Sequence, residues 1–321
     1  MVIDGHNDLV LRRWRGEPAK HIDLETAADA GFAGGFFAMY VPSPYDGDPP
    51  STPYAMPFAA AIPFEEAARV TEELFATLRA LPVRLAESVD DFREGEVTAI
   101  VHMEGAEAIA DDLSNLADWY DRGLRSIGIV WSRPNVFAEG VPFRFPAPPD
   151  TGPGLTDAGR SLVQACNELG ILVDVSHLNE RGFWDVVETS SRPVVATHSN
   201  AHALCASTRN LTDAQLFAIR DSGGVVGVNF AVTFLREDGM NDFEKTGLDE
   251  IVRHVEYLAE RMGIDHVAFG SDFDGAVVPA ALGGVSGLPR LVDALRDRFE
   301  PDEVERITHG NWLRVLDATW R

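Results

Sequence analysis

The sequence opens with Met1-Val2-Ile3-Asp4-Gly5-His6-Asn7-Asp8, a short apolar run that ends in a histidine and an aspartate two residues apart. Side chains alternate between the two faces of a β-strand, so His6 and Asp8 project from the same face at its end. An imidazole and a carboxylate placed in this way can bind one divalent metal ion. Taken alone the pattern is weak, because a solvated strand end has the same appearance.

The pattern recurs along the chain, and this recurrence is the reason to predict a metal site. Later strand-like runs also end in potential metal ligands, which are Glu104, His177, His198 and Asp272. A single histidine at a strand end is more often a hydrogen-bonded structural residue than a ligand, and the chain has nine histidines. Coincidence is a poor explanation for the whole set at strand ends. We therefore predict that these side chains meet in one metal site.

The apolar runs also predict the fold class. Eight runs read as strands, most of them separated by segments with helical periodicity. The predicted strands are residues 2–8, 34–41, 97–104, 126–131, 171–177, 193–198, 224–230 and 266–272. Runs so uniformly apolar suit a parallel sheet covered on both faces, and eight β/α units predict an α/β protein with a (β/α)8 TIM barrel. A doubly wound open sheet is the alternative, weakened because no Gly-rich phosphate loop follows a strand.

We expect a single barrel domain over residues 1–321. The length alone would suggest about two domains, but single α/β barrels commonly run to about 250 residues or more. Two segments, about 42–63 and 142–154, are rich in Pro and Gly. The first is too long for an ordinary connection, so it is either disordered or a functional loop. Both segments predict long loops after strands, on the face of the barrel that carries active sites.

Composition argues against several classes of partner and location. The formal net charge of −24 disfavours nucleic acid and anionic membrane surfaces as partners. No apolar stretch approaches the roughly 20 residues of a membrane span, and we expect no leader before the first strand. Cys166 and Cys205 are too few for a disulfide framework and indicate buried thiols in a reducing compartment. We expect a cytoplasmic globular protein.

The number of potential ligands bears on the number of metal ions. Three imidazoles and two carboxylates exceed what one metal ion with an open position needs. Two ions bridged by the carboxylate of Glu104 fit the number better. Histidine combined with carboxylate suits Zn²⁺ or a related divalent ion.

With these residues the chain resembles the membrane (renal) dipeptidase family of zinc peptidases, peptidase family M19, within the amidohydrolase-like barrels. The matching segments are DGHNDL (4–9), GGF (34–36), MEG (103–105), GLT (154–156), DVSH (174–177), THS (197–199), CASTRN (205–210), VNF (228–230) and GSDFDG (270–275). They run in order over nearly the whole chain, so the resemblance is specific.

The resemblance implies a binuclear zinc site. His6 and Asp8 would bind one metal ion, and His177 and His198 the other. Glu104 would bridge the two ions. The expected cofactors are therefore two Zn²⁺ per chain, with other divalent metals as alternatives.

The resemblance also implies a substrate and two further roles. Asp272 matches the acid/base carboxylate of the family, and Arg209 matches the arginine that holds the terminal carboxylate of the substrate. A guanidinium is apt for that task, since its fork can bind a carboxylate through two hydrogen bonds. The expected partner is a small dipeptide, with a D-residue plausible at its second position. Members of the family are often homodimers.

One position departs from the family pattern. Many members carry a histidine at the end of strand four that contacts the substrate and the developing oxyanion, and Trp131 matches that position here. An indole N–H can donate a hydrogen bond but cannot gain positive charge. Either Trp131 substitutes as a neutral donor, or Arg133 or Asn135 helps, or turnover of the usual substrates is weakened. Packing of Trp131 in the core is the remaining interpretation.

The predicted function is that of a metal-dependent dipeptidase. A metal-bridging hydroxide would attack the peptide carbonyl, and Asp272 would move the proton to the leaving amine. One alternative is a binuclear amidohydrolase for another amide, such as a β-lactam, an N-acyl amino acid or a peptide-like metabolite. This alternative stays open because Trp131 replaces the histidine of the family. The other is a metal-binding homologue without turnover, and the complete set of ligands argues against it.

Overall fold

The structure, a computed structural model, describes residues 1–43 and 52–320. Part of the predicted loop 42–63, residues 44–51, therefore lies outside the described residues. The strands are β1 (Val2–Asn7), β2 (Phe32–Tyr40), β3 (Tyr54–Ala55), β4 (Arg84–Leu85), β5 (Thr98–Glu104), β6 (Leu124–Gly128), β7 (Arg144–Phe145), β8 (Leu172–Asp174), β9 (Val226–Val228) and β10 (Val267–Phe269). The helices are α1 (Leu9–Trp14), α2 (Phe64–Arg79), α3 (Leu116–Asp121), α4 (Asp157–Leu169), α5 (Glu180–Thr189), α6 (Asp213–Asp221), α7 (Val232–Leu235), α8 (Leu248–Met262), α9 (Leu288–Arg296), α10 (Pro301–Glu305) and α11 (Asn311–Thr319).

A parallel sheet closes on itself at the centre of the molecule. Seven strands follow one path in the order β8-β6-β5-β2-β1-β10-β9, and β4 pairs with the start of β5. The two ends of this path are joined by residues 194–196, because Asp174 bridges Val195 and Ala196 bridges Val226. Around the closed sheet, the strands and residues 194–196 then follow one another in chain order. The predicted (β/α)8 barrel is confirmed, and the open sheet is excluded.

The sixth predicted strand, residues 193–198, is not a strand in the structure. Only single bridges form, at Val195 and Ala196. Side chains replace the next backbone partners: Asp174 accepts the N–H of Thr197 at 2.8 Å, and Ser176 Oγ accepts that of His198 at 3.1 Å. The prediction of a strand is therefore wrong, although the segment fills the place of a strand in the barrel.

Other strands end earlier than the apolar pattern predicts. Strands four, five and eight end at Gly128, Asp174 and Phe269, three residues before the predicted ends, and strand seven is confined to β9. His177 and Asp272 have φ angles of 67° and 59°, in the left-handed region that strand residues do not occupy. The chain leaves the sheet before these residues, and both line the cavity at the barrel mouth.

Helices with one apolar face cover the barrel. In α8, Ile251, Val255 and Leu258 recur at helical spacing and are buried. Helix α4 begins at the predicted cap, where Thr156 accepts the N–H of Gly159, and it ends at Gly170 with φ 79°. Such packing fixes the strands so that their carboxyl ends meet on one face.

The two predicted long loops contact each other above that face. Strand β3 in the first loop pairs antiparallel with β7 in the second. The rings of Tyr54 and Phe145 stack with centroids 5.8 Å apart. Within residues 1–43 and 52–320, no helix combines the length and apolarity needed to cross a membrane.

Candidate metal centre

The predicted metal ligands and the predicted acid/base residue meet at the carboxyl ends of the strands. These residues are His6, Asp8, Glu104, His177, His198 and Asp272. Two of them lie inside strands, and the other four lie on the turns or connections that follow. The barrel topology, rather than proximity in sequence, brings them together.

Glu104, the last residue of β5, lies at the centre of the cluster. Its Oε1 atom is 3.1 Å from His177 Nε2 and 3.6 Å from His198 Nε2. Its Oε2 atom is 3.6 Å from His6 Nε2, which in turn is 3.4 Å from Asp8 Oδ2. One carboxylate thus faces imidazoles on two sides, which is the arrangement that a bridging ligand needs.

Two groups of side chains could each hold a metal ion. The potential ligand atoms of His6, Glu104 and His198 all lie within 4.8 Å of one another. Those of His6, Asp8 and Asp272 satisfy the same limit. The second group contains Asp272, to which the sequence analysis gives a proton-transfer role, so metal content has to be measured in any variant of this residue.

The charges of the cluster fit divalent cations. Burial, together with the nearby carboxylate of Asp8, raises the pKa values of Glu104 and Asp272. Burial also disfavours a charged His6, yet Glu104, Asp8 and Asp272 raise the pKa of this imidazole to about 10. His6 Nδ1 and Asp8 Oδ1 are buried without a hydrogen-bond partner. Excess negative charge, together with buried nitrogen and oxygen atoms that have no hydrogen-bond partner, is a feature of a metal site.

The other two histidines are held in the neutral form that binds metal. Burial, together with the charge of Arg209, keeps the pKa values of His177 and His198 well below the usual range. Ser132 Oγ lies 2.8 Å from His177 Nδ1. This contact leaves His177 Nε2 directed at Glu104.

A chain of hydrogen bonds orients His198. Thr197 Oγ1 lies 2.7 Å from Asp174 Oδ2 and 2.8 Å from His198 Nδ1. A carboxylate can only accept, so the Thr197 hydroxyl donates to Asp174 and accepts the Nδ1–H of His198. The lone pair of His198 is therefore on Nε2, which faces Glu104.

The turn that carries Asp272 is held by hydrogen bonds to two residues, Asn229 and Asp4. Asn229 Nδ2 donates to Asp272 Oδ2 at 3.0 Å. Asp4 accepts both the N–H of Ser271 at 2.6 Å and its hydroxyl at 2.8 Å. A Cβ atom on Gly275 would lie only 2.0 Å from Asp8 Oδ2. Glycine at this position keeps the carboxylates open to the cavity.

Arg209 lies beside the cluster and is almost fully buried. Its Nη2 atom donates to the carbonyl of His198 at 3.1 Å, and its Nε atom has no hydrogen-bond partner. Burial lowers the pKa of Arg209 to about 10, an effect that Asp272 and Glu104 oppose, so the guanidinium stays charged at neutral pH. The site therefore contains a buried cation with a donor to spare.

Trp131 forms part of the cavity wall. Its ring lies 5.1 Å from that of Tyr40, 5.5 Å from Phe143 and 5.7 Å from His177, measured between centroids. The cavity that it lines has a volume of about 260 Å³ and also exposes Asp8, Glu104, His177, His198 and Asp272. The indole thus borders the metal cluster and packs in an aromatic group at the same time.

Neither residue suggested as a substitute for the missing histidine is among the described residues that line the cavity. Arg133 is fully buried and pairs with Glu107 at 2.8 Å. Asn135 stabilises its own turn, because its Oδ1 accepts the N–H groups of Phe137 and Ala138.

The sequence model of the membrane dipeptidase family, peptidase family M19, matches residues 1–320 of this chain. The chain belongs to this family. The resemblance identified from its segments is therefore confirmed.

Solved structures of two related enzymes support the activity. A metallo peptidase from Rhodobacter sphaeroides, liganded with a phosphinate mimic of the dipeptide L-Ala-D-Ala, is 46% identical, with a TM-score of 0.95 and 99% of each chain covered. The dipeptidase AC, a metallo peptidase of family M19, is 47% identical, with a TM-score of 0.94 over 99% of this chain and 98% of its own. The predicted function is confirmed at this level: the protein is a metal-dependent dipeptidase.

A further relative comes from Klebsiella pneumoniae. It is an uncharacterized protein in the pqqA 5′ region, 51% identical over 238 residues, which cover 74% of this chain and 88% of the relative.

Several residues that build this dipeptidase site were missed by the sequence analysis. They are Asp4, Ser132, Asp174, Thr197 and Asn229, all of which contact a site residue or its turn. Four of them lie within the family segments 4–9, 174–177, 197–199 and 228–230. Their hydrogen bonds join distant parts of the chain, so the segments alone carried no sign of these roles.

We expect Thr197→Val to weaken metal binding by about 10- to 100-fold, because Nδ1 of His198 loses the acceptor that fixes its tautomer. Thr197→Ser keeps the hydroxyl and serves as the control, with an expected affinity close to that of the wild type. Metal dissociation constants can be measured by competition with a chromogenic chelator. Equal affinity in the Val variant would show that Thr197 does not orient His198.

Proposed function

We propose that this dipeptidase uses two Zn²⁺ ions, which His6 and Asp8 on one side and His177 and His198 on the other would hold. Glu104 would be the shared ligand. The observation that carries this proposal is the position of the Glu104 carboxylate, with one oxygen directed at His177 and His198 and the other at His6.

Asp272 is proposed as the residue that moves protons. When bound, the zinc ions supply Lewis acidity that activates water and polarises the peptide carbonyl. Asp272 would accept the proton of the attacking water and pass it to the leaving amine. Burial raises the pKa of Asp272, which suits a carboxylate that has to hold a proton for part of each turnover. Asn229 keeps this carboxylate in place.

Arg209 is proposed as the clamp for the C-terminal carboxylate of the substrate. Its charge, its burial and the unpaired Nε donor support this role. A clamp at a fixed distance from the metal cluster would limit substrates to two residues. Dipeptides with a D-residue at the second position are included, since the Rhodobacter sphaeroides relative binds a mimic of L-Ala-D-Ala.

Three further properties are part of the proposal. The chain forms one barrel domain over residues 1–321, and its loops 42–63 and 142–154 help to enclose the substrate; Phe143, in the second loop, lines the cavity. The enzyme works in the cytoplasm. It forms homodimers, which size-exclusion chromatography with light scattering can test.

The direct test is amine release from L,L and L,D dipeptides. The protein is loaded with Zn²⁺, and a chelator-treated sample is the control. We expect metal-dependent cleavage of dipeptides but not of the matching tripeptides or C-terminal amides, with two equivalents of zinc at full activity. Preferential cleavage of β-lactams or N-acyl amino acids would instead place the chain among enzymes for other amides.

We expect Arg209→Gln to lower kcat/KM for dipeptides by about 100-fold, mainly through KM, because a charge-assisted pair with the substrate carboxylate is lost. Arg181→Gln, on the exposed surface of α5, is the matched control and should behave as the wild type. Metal content is measured in parallel, because Arg209 also contacts the backbone of His198. An unchanged KM with full metal content would remove Arg209 from the substrate site.

A further inference from the structure

The cavity that contains the metal cluster also has a basic rim. Three basic side chains, Arg12, Arg15 and Lys20, line it together with the acidic residues of the cluster. Arg15 and Lys20 are exposed, whereas Glu104 is buried. The whole chain has 27 basic and 51 acidic residues, so a positively charged rim differs from the net negative charge of the chain. The cavity is thus acidic at its buried end and basic at its open end.

The position of Lys20 is tied to the turn that carries Asp272. The carboxylate of Asp274 accepts the backbone N–H groups of Lys20 at 2.6 Å, His21 at 3.2 Å and Ile22 at 3.3 Å. The N–H of Asp274 donates to His21 Nδ1 at 2.8 Å. Since Asp274 follows Asp272 by two residues, the rim segment and the proposed proton carrier share one support.

The basic residues of the rim differ in what surrounds them. Arg12 is mostly buried; its Nε donates to the carbonyl of Asp274 at 3.1 Å, and its Nη1 pairs with Glu17 at 2.5 Å. Its charge is therefore largely compensated. The backbone N–H of Lys20 is bound by Asp274, and Lys20 is exposed and lines the cavity. Lys20 is thus an exposed cation of the rim whose backbone is held by the turn that carries Asp272 and Asp274.

The geometry points to Lys20 as a residue that determines substrate specificity. We propose that it favours dipeptides with a carboxylate in a side chain. This inference rests on the proposed function: the reacting peptide bond lies by Glu104 and Asp272, and Arg209 takes the C-terminal carboxylate. The group that reaches the open end of the cavity is then a side chain. A charge-assisted hydrogen bond from Lys20, aided by the field of the rim, would favour an acidic one.

The test compares acidic substrates with their uncharged isosteres. Values of kcat/KM are measured for L-Ala-D-Glu against L-Ala-D-Gln and for L-Glu-L-Ala against L-Gln-L-Ala, with the L,L forms of the first pair included. We expect the wild type to favour the acid about tenfold in at least one pair, and Lys20→Gln to reduce that ratio about fivefold. A ratio between isosteres is insensitive to differences in folding or metal loading.

The chain offers a matched control and a charge reversal. Arg13, an exposed arginine of α1, is not among the described residues that line the cavity, so Arg13→Gln should leave the ratio unchanged. Lys20→Glu should bring the ratio below that of Lys20→Gln. Hydrolysis without a preference for acids, or a ratio that Lys20→Gln does not change, would overturn this inference alone. Failure to hydrolyse any dipeptide would instead overturn the proposed function.

Discussion

Asp272→Asn is expected to lower kcat by about 10²- to 10⁴-fold while metal remains bound. The amide has nearly the same shape as the carboxylate but cannot take a proton from water. Asparagine also tolerates the left-handed backbone at this position, where φ is 59°, so the turn should persist. The side-chain oxygen can still accept the hydrogen bond from Asn229. The substitution therefore isolates the loss of proton transfer.

Two measurements on Asp272→Asn distinguish the possible roles of this residue. Metal content determined by mass spectrometry should equal that of the wild type, and steady-state rates should show the loss in kcat. A substitution of an exposed carboxylate, Asp111→Asn, is the control and should change neither quantity. Full activity would remove Asp272 from the mechanism. Loss of metal together with activity would identify it as a ligand, which its proximity to His6 and Asp8 also allows.

The sequence was sufficient to predict the barrel and the meeting of the site residues. Parallel strands buried on both faces carry short continuous apolar runs, such as Val2-Ile3 in β1 and Ala99-Ile100-Val101 in β5, so these runs are visible without an alignment. Barrel topology then places the ends of all strands on one face, wherever they lie in the chain. This reasoning located His6, Glu104 and the later residues of the cluster before any distance was known.

The parts that could not be predicted depend on contacts between distant segments. The apolar pattern continues through residues 171–177 and 266–272, whereas the strands end at Asp174 and Phe269 and are followed by left-handed φ angles at His177 and Asp272. Side-chain acceptors bind backbone N–H groups next to these residues, because Asp174 accepts the N–H of Ser176 and Asp4 accepts that of Ser271. The hydrogen bonds of Asp174 to residue 197 have the same character. The apolar pattern of a segment indicates which of its residues are buried. It does not indicate which polar groups of distant segments those residues contact. The same limit applies to Lys20, whose position depends on Asp274.

Glu104→Gln is expected to have the largest effect on metal binding, with a loss of affinity of about 10³-fold and a matching loss of activity. Glu104 faces His6 with one oxygen and His177 and His198 with the other, so its substitution removes a charged ligand from both sides of the cluster. The expected loss corresponds to roughly 4 kcal/mol, within the range for breaking a buried charged pair. Metal analysis and competition with a chelator measure the affinity.

The metal-free Glu104→Gln protein should nevertheless be about as stable as the metal-free wild type. Burial raises the pKa of Glu104, so without metal its neutral form is favoured, and glutamine resembles that form. Zinc binding requires the carboxylate, so wild-type affinity should rise as pH rises through this pKa, and the rise should be smaller in the variant. Thermal unfolding with and without zinc tests this, because a ligand that binds only the folded state raises Tm.

A second glutamate near the end of the same strand provides the matched control for Glu104→Gln. Glu107 is also buried, but it pairs with Arg133 at 2.8 Å instead of facing the histidines. Glu107→Gln leaves a buried guanidinium without its counter-ion, which should cost about 3–5 kcal/mol of stability and lower Tm in the metal-free protein. Zinc should still raise the Tm of Glu107→Gln. In Glu104→Gln, zinc should no longer raise the Tm, and the Tm of the metal-free protein should equal that of the metal-free wild type. If both variants lost metal, or both lost stability, the assignment of Glu104 as a metal ligand and of Glu107 as a structural residue would be wrong.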